Sequence, residues 1–141
     1  MGFSATLWEW YGQSEYTRVL AVCEVFQALE FLAQVSDTQQ RTIPDCPACE
    51  VWSGMIHPVK EVLSICGSAL PEDIKTRLGS ISERCEGFSE AAFRCHDRLI
   101  FDHDEWMPIR TLAAELLALM ELTEIYPFLD ELLLDCRKFA R

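Results

Sequence analysis

Leu112, Leu116, Leu119 and Thr123 recur at steps of four, three and four, which sets them on one side of an α-helix. Ala113 and Met120 widen the stripe, and Ala, Leu, Met and Glu are strong intrinsic helix formers. Glu115 and Glu121 lie off the stripe, and Leu122 falls on the polar side near Thr111 and Glu115. Pro127 removes a backbone N–H and biases Tyr126 toward extended geometry, yet suits the first turn of a new helix. Leu129, Leu132, Leu133 and Cys136 form the inward stripe beyond it, in a second helix packed beside the first or in the far half of one sharply kinked helix.

Earlier in the chain, Ser14 is a candidate cap for a helix running to about Val35. Its apolar residues, Val19 to Leu32, leave a narrow polar strip of Glu24, Gln27, Glu30 and Gln34, which is the pattern of a buried helix. Residues 36–55 show no periodicity and contain two prolines and a glycine, so a long loop is expected. Pro58 opens a short helix that ends near Gly67, and Pro71 opens another closed by Gly79. Ser80 and Glu83 have the spacing of a capping box. The helix after it has a seam of Ile81, Cys85, Phe88, Ala92, Cys95 and Leu99. A turn at 101–105 leads back to the Leu112 helix, with Asp102 or Asp104 available to cap it.

No stretch alternates at period two, so no strand is expected. The pattern predicts an all-α chain: a compact single domain over residues 1–141, built as a bundle of about five to six helices with the loop at 36–55. With 141 residues, half of them hydrophobic, the chain can bury a core.

Charge narrows the partners. The net charge is −11 and the sequence pI about 4.6. Such a protein is repelled by nucleic-acid phosphates and by anionic membrane surfaces, and is attracted to basic proteins. The charge is uneven: between Arg110 and Arg137 stand Glu115, Glu121, Glu124, Asp130, Glu131 and Asp135, with no base. No stretch has the apolar length of a membrane span, and the first residues lack the basic start of a secretory signal. The odd count of seven cysteines, several on apolar stripes, points to a reducing, cytoplasmic setting rather than a disulfide framework.

Candidate chemistry is sparse. Cys46-Pro-Ala-Cys49 has the spacing that lets two thiolates grip one zinc, and His57 is the nearest further ligand by sequence. Cys66 or His96 could complete a set, although an incidental pair in a loop fits the same residues. A redox CxxC needs a preceding strand, which the pattern denies. Asp102, His103, Asp104 and Glu105 are sequence neighbours at a helix junction, where capping explains them. No nucleophile elbow or phosphate loop is present, and no enzyme is expected.

These observations predict a small acidic binding protein that inhibits or sequesters a basic or nucleic-acid-handling protein. Immunity proteins, antitoxins and phage anti-defence (anti-CRISPR type) inhibitors are of this kind. Its expected contact residues are the six acids above with Trp8 and Trp10, since aromatic residues favour interface centres. Two alternatives stand beside it. One is a helical adaptor or homodimer using Trp8, Trp10, Leu122, Leu134 and Phe139. The other is a zinc-supported helical domain using Cys46, Cys49 and His57.

Overall fold

The chain folds around one nearly all-apolar helix. In a computed structural model that describes residues 2–43 and 46–140, α1 (Phe3–Gly12) leads into α2 (Tyr16–Leu32), whose Val19, Val22, Cys23, Val25, Phe26, Leu29 and Leu32 are fully buried. Each such side chain contributes roughly 1.5–3 kcal/mol when it leaves water. Against α2 pack α1, α5 (His57–Cys66), α7 (Met107–Leu119) and α9 (Leu129–Phe139). α6 (Glu72–Glu86) closes the side between α5 and α7. These six helices are each ten residues or longer and carry the bundle. Short helices α3 (Ser36–Thr42), α4 (Pro47–Val51) and α8 (Leu122–Ile125) fill the corners. No strand occurs among the described residues, so the all-α bundle expected from the pattern is the fold.

The described residues of 36–55 are mostly helical where a loop was expected. α3 has no apolar stripe because its one buried residue is polar: Gln39, fully enclosed. Gln39 Nε2 donates to the carbonyls of Phe31 (3.1 Å) and Leu32 (3.3 Å) at the end of α2. Its Oε1 accepts from Arg110 Nε (3.2 Å) and Nη2 (2.8 Å). Further on, Val51 and Ile56 are both buried although five residues apart. That spacing shares a face only where the helix widens to i→i+5 bonding, as it does over Trp52–Ile56. Pro44 and Asp45, within the expected loop, lie outside the described residues.

Other boundaries also shift. Ser14 does not cap α2. It stands at φ 63° just after α1, where the Glu15 amide reaches back to the Trp10 carbonyl (2.9 Å) and the Ser14 amide to that of Tyr11 (3.1 Å). This is the left-handed closure of a helix end. α6 runs straight through Gly79 and Ser80, because Ile74, Leu78, Ile81 and Cys85 keep one buried stripe. The capping box is therefore not used. The seam drawn to Leu99 fails in its second half: the helix stops at Glu86, and Leu99 is exposed. Residues 87–97 instead fold over Trp106, whose Nε1 donates to the Ala92 carbonyl (2.8 Å), with the Phe88 ring tilted against its ring (4.6 Å between centroids). Neither Asp102 nor Asp104 caps the next turn; His103 Nδ1 accepts from the Glu105 amide (3.2 Å). Glu121, left-handed at φ 57°, breaks the helix after Met120. The break changes the phase, so Leu122 turns inward and Thr123 outward, the reverse of the expected faces.

Candidate functional site

Two arrangements gather chemistry. The first is a cluster of three thiols. Cys46 precedes α4, Pro47 opens that helix, and Cys49 follows one turn later. The stretch 87–97 brings Cys95 to them, so that all three Sγ atoms lie within 4.8 Å of one another and could hold a metal ion. The Cys49 and Cys95 sulfurs are 3.9 Å apart. His96 is left-handed at φ 60° and aims its amide at Cys46 Sγ (3.3 Å). The stretch is held in place by Glu105, whose carboxylate accepts from the Ser89 amide (3.0 Å) and hydroxyl, and by Asp97, which accepts from the Leu99 amide (2.9 Å).

Hydrogen bonds from the Cys49 thiol, and then from the Cys49 and His96 amides, hold the Cys46 thiol down to about 6. The Cys49 thiol, giving its proton to Cys46 and lying beside Cys95, is pushed up to about 11. The pair is thus driven apart: hydrogen bonding favours the thiolate form at Cys46 and the thiol form at Cys49. The buried thiols differ: burial pushes Cys23 and Cys85 up to about 12 and Cys66 to about 11, leaving them unreactive. All seven cysteines are free thiols.

The structure brings Cys46 and Cys49 together as their spacing implies, but not His57. That imidazole sits exposed on α5, 3.5 Å from Glu61. Of the two further ligands suggested, Cys66 is buried with its thiol on the Arg18 carbonyl, and His96 meets Cys46 through its backbone amide and not as a member of the ligand group. Cys95 takes the third place. The apolar seam assigned it to the core, whereas it is exposed. Its only local signal was position in a stretch that leaves the helix after Gly87.

The second arrangement is an acidic aromatic face. Phe128, just before α9, and Glu131, Asp135 and Phe139 within it follow at steps of three, four and four along one side of the helix, with Asp135 half-buried and the others exposed. α1 and the first residue of α2 continue the aromatic row. Phe128 meets Trp8 edge-on (5.4 Å between centroids), Trp8 meets Tyr11 (6.0 Å), Tyr11 meets Tyr16 (5.7 Å) and Tyr16 meets Phe139 (5.3 Å). Tyr11 Oη donates to Asp135 Oδ2 (3.2 Å), and that bond raises the tyrosine above its ordinary value.

The expected contact residues separate into two groups. Trp8, Glu124, Asp130 and Glu131 are exposed, and the three carboxylates carry no hydrogen bond or ion pair among the described residues. The others have internal work. Trp10 is buried against Phe3, with Arg18 over its ring. Glu121 accepts from the Ser4 amide and hydroxyl (2.9 Å each) and so tethers α1. Glu115 is 3.4 Å from Arg77 of α6. Asp135 holds Tyr11 while staying part of the face.

No protein-family model, curated protein or solved structure matches this chain. Its own residues therefore carry the functional argument. Among the described residues, no single helix is long and apolar enough to cross a membrane.

Proposed function

We propose that this chain is a binding protein, not an enzyme, that occupies a basic partner protein and so inhibits or sequesters it. The observation that supports this is the alternation of exposed aromatic rings and carboxylates on α9 and α1. Trp8 is 38% exposed, Phe128 45% and Phe139 54%, with Leu134 of the same helix at 72%. Rings of that kind gain about 0.5–2 kcal/mol each from a cation over their face. Adjacent carboxylates pair with the same Arg or Lys groups and steer the approach. A surface rich in Arg and Lys is what a nucleic-acid-handling protein offers, and an immunity, antitoxin or anti-defence (anti-CRISPR type) role follows in kind. Nucleic acid itself is repelled by the net charge of −11. Free thiols throughout fit a reducing, cytoplasmic setting.

The test is affinity for a co-purified basic partner at low and high salt, for the natural chain and for Trp8→Ala and Glu131→Lys. Binding should weaken with salt and with each substitution. Affinity indifferent to both would remove the proposal. A chain that sediments as a dimer of unchanged size in high salt would instead favour the adaptor, with Leu134 and Phe139 in the self-contact.

A second reading concerns how the fold is supported. We infer that zinc binds at Cys46, Cys49 and Cys95, because three convergent thiols are a donor set this ion prefers. Protein purified without added metal should carry zinc, and a chelator should lower its melting temperature. Melting that is indifferent to chelation, with no metal bound, would dismiss it.

A further inference from the structure

The thiol cluster has a direction as well as a donor set. A tetrahedral zinc with bonds of about 2.3 Å to sulfur separates those sulfurs by roughly 3.8 Å. The Cys49 and Cys95 sulfurs, 3.9 Å apart, already span such an edge. Cys46 lies on the buried side, its sulfur fixed by the His96 amide. Such N–H bonds to sulfur are a usual outer support of a metal thiolate. Among the described residues, no fourth His, Cys, Asp or Glu ligand atom joins the group. Closed structural sites use four protein ligands, whereas three with one position left over is the arrangement of exchangeable sites.

Two of the three cysteines also border a recess. Ala48, Cys49, Trp52, Phe93 and Cys95 line a cavity of about 320 Å³. The Trp52 and Phe93 rings stand 6.4 Å apart, and Trp52 is 47% exposed. The recess is at the small end of ligand pockets, roughly 300–1,000 Å³. Its wall depends on the widened turn Trp52–Ile56, which begins at Trp52 and follows directly on the helix of Cys49. Such turns recur at functional sites. An apolar wall beside two exposed sulfurs is not needed by a metal clasp alone.

We propose that Cys46, Cys49 and Cys95 hold a zinc ion whose fourth position faces the Trp52–Phe93 recess and takes a soft donor on an apolar molecule, an aromatic or aliphatic thiol. The inference rests on the zinc reading above. The reaction is ligand exchange: the incoming thiol loses its proton to solvent, its sulfur replaces a water on zinc, and no oxidation state changes. The organic group then covers the two rings. Burying an aromatic ring there should favour an apolar thiol over a polar one by roughly tenfold.

The experiment uses the full zinc-loaded chain, with X-ray absorption to count sulfur neighbours and native mass spectrometry to detect adducts. The probes are zinc alone, then benzyl mercaptan and 2-mercaptoethanol. Zinc alone should show three sulfurs and one lighter atom. Benzyl mercaptan should raise the count to four at about a tenth of the concentration that 2-mercaptoethanol requires. Trp52→Ala should keep the zinc and lose that preference, while Cys95→Ser should lose the zinc. A zinc whose fourth ligand is not displaced by either thiol, or equal potency of the two thiols, overturns the proposal and leaves the zinc reading standing. A chain that binds no zinc overturns both.

Discussion

Gln39→Leu replaces a buried amide with an apolar group of similar size and removes four hydrogen bonds at once. Two of them serve the Phe31 and Leu32 carbonyls, and two join Gln39 to Arg110. The Phe31 carbonyl keeps a bond from the Gln34 amide. Arg110 keeps the Gln34 and Phe101 carbonyls. The guanidinium is therefore not stranded, and the main loss falls on the Leu32 carbonyl and on the tie between α2, α3 and α7. One unsatisfied buried group costs about 1–3 kcal/mol, and a charge-assisted bond contributes about 1.5–3 kcal/mol. Leucine recovers some of this through burial. The net loss should be about 2–4 kcal/mol, a fall of roughly 6–12 °C in melting temperature for a chain of this size. Urea unfolding by circular dichroism measures it, with Arg110→Met and the double variant completing a cycle. A loss under about 0.5 kcal/mol, or additive single effects, would refute the role given to Gln39.

Three further outcomes are expected. Gly79→Ala should stabilise the chain by about 1 kcal/mol, since Gly79 lies within α6 and an added methyl meets nothing within 4 Å; a destabilised variant in urea would contradict the continuous helix. Ser14→Gly should also stabilise, by about 1 kcal/mol, by relieving the left-handed closure of α1, again by urea unfolding; no change would argue against that closure. Glu121 is held below its ordinary value by bonds from the Ser4 amide and then the Ser4 hydroxyl. A depressed folded value means that its contribution is present above the unfolded value and lost as pH falls through the folded one. Glu121→Gln should therefore be less stable than the natural chain at neutral pH and lose less on acidification below about 4.5; parallel pH curves would contradict this.

The bundle was legible where burial follows apolar spacing. Val19 to Leu32 announced α2, and Leu129, Leu132, Leu133 and Cys136 announced α9. Residues 36–56 were not legible, for two physical reasons. The buried contact of α3 is the amide of Gln39, which hydrophobic periodicity cannot see, and Val51 and Ile56 share a face only through a widened turn. The run from Ile81 to Leu99 misled in the opposite sense, because apolar residues after Gly87 serve a fold over Trp106 rather than a helix face. Half of the thiol cluster was visible in Cys46-Pro-Ala-Cys49. Cys95 was not, since a contact across that length of chain leaves no local spacing. Among the acids, exposure could be guessed, but the internal bonds of Glu121, Asp135 and Glu115 depend on neighbours supplied by α1 and α6.

The most direct test is to capture the partner from cells that carry this protein, using the natural chain and a Trp8→Ala, Phe128→Ala, Glu131→Lys variant whose folding is first verified by circular dichroism. The natural chain should retain a basic protein that high salt releases, and the variant should retain little of it. A partner held equally by both chains and unmoved by salt would contradict a binding role for the acidic aromatic face.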